Sequence, residues 1–144
     1  MIKDYKKFIF CFFLITFSFK VLGSEIKILY KINENIITSY DVENESNYLK
    51  TLNKNLANLP KKELMETAIR SLIREKIKKD EIDRVFEINY EQAMKSNNIK
   101  NVIKSIYTNL NFETEKDFFD YLEKNNVSEI NLKQKFVLEQ MWNQ

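Results

Sequence analysis

Three features of the sequence predict a mainly α-helical fold, a multi-helix domain with one short β-hairpin near its N-terminus. The 144 residues hold one Gly and one Pro, too few for the tight turns and bulges that a sandwich or barrel needs repeatedly. Five stretches after residue 38 carry apolar side chains at helical intervals, the pattern of amphipathic helices. Ser, Thr or Asn stands just ahead of each stretch, where a side-chain oxygen caps a helix start. The length suits one globular domain and excludes a multi-domain enzyme.

The chain opens with Lys3, Lys6 and Lys7 against Asp4, then a twelve-residue apolar run over residues 8–19, then Lys20-Val21-Leu22-Gly23. This order reads as a secretory signal peptide over residues 1–23, with cleavage expected after Gly23 and a mature domain over residues 24–144. Twelve helical residues span about 18 Å, short of the roughly 30 Å hydrocarbon core, so no stable membrane anchor is expected. A lipid anchor would need Cys where Ser24 stands.

Residues 26–38 follow as the hairpin. Ile26, Ile28, Tyr30 and Ile32 alternate with other residues, and Asn33-Glu34-Asn35 leads into Ile36-Ile37-Thr38. Asn here supplies the positive φ that Gly usually provides. Two strands alone are marginal in water, so the face carrying Ile26, Ile28, Tyr30 and Ile32 needs cover.

Thr38 and Asp41 are spaced as N-cap and N3 acid ahead of Val42, Leu49, Leu52 and Leu56, predicting a helix over residues 39–54. Asn58-Leu59-Pro60 reads as a cap and first-turn proline before the broadest apolar stripe, Leu64, Met65, Ala68, Ile69, Leu72, Ile73 and Ile77, predicting a helix over residues 61–84. Its other side pairs Glu66 with Arg70, Glu75 with Lys79 and Asp80 with Arg84 at i,i+4, and reads as a solvated face. Asn89 and Gln92 open a third helical stretch with a break at Ser96-Asn97-Asn98. Thr114 and Asp117 open a fourth, closed by Asn125-Asn126 in a left-handed turn, and Ser128 caps a last helix.

Chemistry is limited by composition. No His is present, so imidazole-based catalysis and His-metal sites are excluded. Gly23 is the only glycine, which removes Gly-rich phosphate loops. Asp117, Asp120 and Glu123 share one side of the fourth helix but read as solvated charges. No catalytic residue, metal or cofactor is expected. Residues 1–23 hold four Lys and one Asp, so the remainder has 19 basic and 20 acidic residues, a net charge of −1. That balance lacks the footprint of a nucleic-acid binder, and no nucleic-acid partner is expected. Cys11 lies in the apolar run, so the mature domain holds together by packing without disulfides.

Residues 32–42, Ile-Asn-Glu-Asn-Ile-Ile-Thr-Ser-Tyr-Asp-Val, then a long Leu/Ile-rich helix and the restart at Ile88-Asn89-Tyr90-Glu91-Gln92, follow the order of elements in a known module. The chain resembles, over about residues 26–144, the N-terminal domain of the SurA-type periplasmic chaperones, whose relatives include PpiD, PrsA and trigger factor. In that family a strand-turn-strand of the form V-N-x-x-I-T-x-x-D-V leads into helices. The glycines usual in the hairpin and before the restart are absent here. The resemblance implies a periplasmic, non-enzymatic module that binds unfolded outer-membrane proteins or other exported polypeptides. Prolyl isomerase activity would belong only to a longer parent carrying a parvulin domain.

On that reading Phe112, Phe118, Phe119, Tyr121, Phe136, Met141 and Trp142 are the candidate peptide-binding residues, since aromatics and Met offer adaptable apolar contact. The rival expectation is a structural or adaptor helical domain with one fixed partner. The residue 64–77 stripe is expected to be the most protected element, and the hairpin the least.

Overall fold

The computed structural model describes residues 25–143, so the predicted signal peptide and its cleavage point lie outside the described residues. The elements are β1 (Ile28–Ile32), β2 (Asn35–Thr38), α1 (Ser39–Leu52), α2 (Lys54–Ala57), α3 (Lys61–Val85), α4 (Tyr90–Met94), α5 (Asn97–Asn109), α6 (Glu115–Lys124) and α7 (Glu129–Trp142). The mainly helical fold with an N-terminal hairpin is the one the sequence predicts.

Asn33 turns the hairpin at φ 52°, a left-handed value that a short polar side chain tolerates. The register pairs Ile32 with Asn35, Lys31 with Ile36, Tyr30 with Ile37 and Ile28 with Thr38, with an irregularity between Ile28 and Tyr30. Leu29 is thus an extra residue, and a bulge of one residue reverses the alternation beyond it. Ile28 joins Thr38 and Ile36 on the outer face, whereas Tyr30 and Ile32 lie on the face of Ile37. The single apolar face expected from Ile26, Ile28, Tyr30 and Ile32 therefore does not form. Ile37 is fully buried, while Ile28 is 66% exposed and Ile36 45%.

Side-chain caps place the helix starts. Thr38 Oγ1 accepts from Asp41 N at 3.1 Å and Asp41 accepts from Thr38 N at 2.8 Å, a complete capping box for α1. Asn89, Ser96, Thr114 and Ser128 cap α4, α5, α6 and α7. At α3 the structure corrects the expectation. Pro60 itself occupies the N-cap without a side-chain bond, and Asn58 ends the short α2.

Two cores result. Ile37, Val42, Ala68 and Leu72 join β2, α1 and α3. Ile99, Ile103, Phe118, Leu122, Val127, Leu132 and Val137 join α5, α6 and α7. Tyr48 and Leu52 of α1 pack on the second core, which ties the two together. The α3 stripe is covered only in part, because Met65 and Ile77 at its ends are exposed.

Candidate functional site

A cleft of about 530 Å³ opens where the two cores meet. Each wall is one helix face, built by i, i+3, i+4 and i+7 spacing. Tyr40, Asn44, Glu45 and Tyr48 come from α1, and Leu72, Glu75, Lys76 and Lys79 from α3. Asn131, Gln134, Lys135 and Leu138 come from α7, while Tyr90 and Asn126 complete the lining.

The floor is charged. Glu45 is only 3% exposed, and a buried carboxylate needs partners to offset lost hydration. Ser71 Oγ donates to its Oε1 at 2.6 Å, and Lys135 Nζ donates to its Oε2 at 2.8 Å. The same ammonium bonds Glu75 and lies 5.0 Å from the Tyr48 ring centre. Burial works to lower the Lys135 pKa, but Glu45 and Glu75 outweigh it and hold the group above its ordinary 10.5. Burial, followed by the charges of Glu45, Glu75 and Glu139, pushes the Tyr48 hydroxyl far above its ordinary 10.0. A second strap of opposite polarity runs from Lys78 of α3 to both oxygens of Glu139 on α7, at 2.7 Å each.

These contacts correct the sequence reading of α3. Glu75 binds Lys135 rather than Lys79, and Lys79 pairs with Asp83. Asp80 accepts from Asn33 at 3.2 Å and Asn35 at 2.7 Å, and so fastens the hairpin turn to α3. Those two bonds hold the Asp80 carboxyl below its ordinary 3.8. Part of the predicted solvated face is thus tertiary contact surface. On α6, Asp117 is held by the Thr114 cap and Asp120 by Lys116. Among the described residues no group of three or more His, Cys, Asp or Glu could hold a metal ion.

The seven aromatic and Met candidates fall elsewhere, and none lines the cleft. Phe118 is fully buried at the centre of the second core, which corrects it from a contact residue to a core residue. Phe112 packs beside it at 5.7 Å between ring centres and meets Tyr121 at 5.0 Å, and Phe119 lies 5.6 Å from Phe118. Phe136 and Met141 are half-buried against the same core. Tyr121 donates to the Thr51 carbonyl at 3.2 Å, which fastens α6 to α1. Trp142 stands apart, 46% exposed, with Lys78 Nζ 5.6 Å from its ring. Periodic aromatics face inward because each buries a large area there.

Besides Trp142 and residues scattered along the helices, exposed apolar surface gathers on the hairpin and the residues before it, at Ile26, Ile28, Leu29, Tyr30 and Ile36, and on Val85 and Phe86 where α3 ends. No family model, curated protein or solved structure matches the chain. No helix among the described residues is long and apolar enough to cross a membrane.

Glu45 and Lys135 were missed as site residues, although the sequence carries a signal for both. Glu45 stands three residues after Val42 and four before Leu49, inside an apolar stripe, and Lys135 stands midway between Leu132 and Leu138. A charge in an apolar register implies a buried partner.

Proposed function

We propose that this chain is a holding module for unfolded exported polypeptides, including outer-membrane proteins crossing the periplasm. The exposed apolar hairpin supports this reading most. Ile28, Leu29, Tyr30 and Ile36 of the two-stranded sheet, with Ile26 just before it, stand in solvent, and exposed apolar surface of this kind marks interaction sites. The order of hairpin, long helix and capped restart, which resembles the SurA N-terminal module, points the same way. Apolar surface without fixed polar partners binds many sequences weakly, as a holding protein requires.

The test is aggregation of several unrelated unfolded β-barrel proteins with and without the purified chain. Delayed aggregation of all of them is the expected result. Ile28→Lys with Ile36→Lys, both at exposed positions, leaves the far-ultraviolet spectrum unchanged and weakens the protection about thirtyfold, since each lost apolar contact is worth about 1 kcal/mol. Binding to one folded partner without any delay of aggregation would replace this reading with an adaptor role.

A further inference from the structure

We infer that the cleft between α1, α3 and α7 binds the main chain of an extended polypeptide segment that carries no basic side chains. This rests on the reading that the ligand is an unfolded polypeptide, and it assigns a site separate from the exposed hairpin residues.

Charge balance is the first support. Asp41, Glu45 and Glu75 face Lys76, Lys79 and Lys135 in the lining, so the formal charge is zero. Most of these groups are already paired: Glu45 and Glu75 with Lys135, Lys79 with Asp83, and Asp41 with the α1 cap. An incoming cation would lose hydration without a free carboxylate in the lining, since Asp41, Glu45 and Glu75 are all engaged.

The walls supply the opposite property. Asn44, Asn126, Asn131 and Gln134 stand around the cleft, and each carboxamide offers an acceptor oxygen and two donor hydrogens. An extended main chain presents N–H and C=O in alternation at about 3.3 Å per residue. Carboxamides satisfy either group in either chain direction, and so read the backbone rather than the sequence. The volume of about 530 Å³ lies within the usual range of ligand sites.

Tyr90 adds an independent mark. It lines the cleft, and its hydroxyl is buried with no hydrogen-bond partner among the described residues. A buried hydroxyl left unpaired is costly. A turn of the Tyr90 side chain toward the cleft would let a peptide carbonyl accept its proton, and burial, which raises the Tyr90 pKa, keeps that proton in place.

The experiment measures fluorescence anisotropy of a labelled peptide of about eight Ser, Asn, Gln and Tyr residues, roughly 26 Å long in extended form. A scrambled order binds within about twofold. Methylating alternate backbone nitrogens weakens binding about tenfold, the loss of one to two hydrogen bonds. Tyr90→Phe weakens it about fivefold without lowering the melting temperature, because the orphan hydroxyl does not stabilise the free protein. Asn131→Ala with Gln134→Ala weakens it further at sites where Ala favours the helix. Equal affinity for the methylated peptide, tighter binding of a Lys-bearing peptide, or no binding at all overturns the inference. Delayed aggregation with peptide affinity untouched by Asn131→Ala and Gln134→Ala removes the cleft assignment and leaves the holding function standing. Absence of both effects removes both.

Discussion

Glu45, Ser71, Glu75 and Lys135 make a charge-paired set that costs hydration and returns it only while complete. Lys135→Met leaves Glu45 buried without its counter-charge, and the expected loss is about 3–5 kcal/mol in urea unfolding. Adding Glu45→Gln removes the uncompensated charge, and most of the loss should return. A double variant no more stable than Lys135→Met alone would show that the pair is not the source of the effect. Lys135, with the neighbouring Tyr48, also sets the alkaline limit. Lys135 and Tyr48 both have folded pKa values raised above 10.5 and 10.0. Below those ordinary values folded and unfolded states bind the same protons and the stabilisation is complete. As pH rises, the unfolded chain loses its protons first, and the stabilisation is lost toward the folded pKa values. The urea midpoint should therefore hold to about pH 10 and fall beyond it, with a shallower fall in Tyr48→Phe.

Most helix starts were legible because a capping oxygen is a one-residue signal: Thr38, Asn89, Thr114 and Ser128 cap as their spacing predicts, whereas Ser96, read as a break, caps a helix of its own and Pro60 takes the place expected of Asn58. The hairpin bulge was not, since an extra Leu29 leaves the sequence looking like unbroken alternation and only the partner strand reveals the slip. The cleft was illegible for a related reason, because its walls come from three helices far apart in sequence. Helix ends form an intermediate case. With no glycine past residue 23, Asn takes the left-handed positions at Asn33, Asn111 and Asn126. Asn126 was foreseen from the Asn pair, whereas Asn111 stands alone and was not. Both close Schellman turns: Phe112 N donates to Tyr107 O and Val127 N to Leu122 O, each at 2.9 Å. Asn111→Ala and Asn126→Ala should each cost about 1 kcal/mol, and the Gly replacements should be neutral or stabilising. Thermal unfolding of the four variants checks this, and equal melting temperatures for Ala and Gly would refute it.

Stability over the whole molecule follows from how the two cores divide the buried surface. The width of its apolar stripe made α3 the expected centre of protection, but a stripe protects only where something covers it. In α3 only Ala68, Leu72 and Ile82 are buried across 25 residues. The α5 to α7 core buries seven apolar residues from three helices and the turn between α6 and α7, against four around α3. Hydrogen exchange reports such local opening free energies. The slowest amides should be those of Ile103, Phe118, Leu122 and Val137, with Leu72 faster by about tenfold, near 1.4 kcal/mol of local stability. Within the hairpin, Ile37 should exchange more slowly than Ile36, since it is fully buried in the core and Ile36 stands in solvent. Asp80→Ala releases the Asn33 and Asn35 bonds and should speed exchange in β1 and β2 while leaving α5 to α7 unchanged. Acid should mimic that variant. A carboxyl held below its ordinary 3.8 stabilises the fold above that value, and the contribution disappears as pH falls through the lowered pKa. If Leu72 instead exchanges more slowly than Phe118, the half built on α3 governs global unfolding, and the larger core opens first.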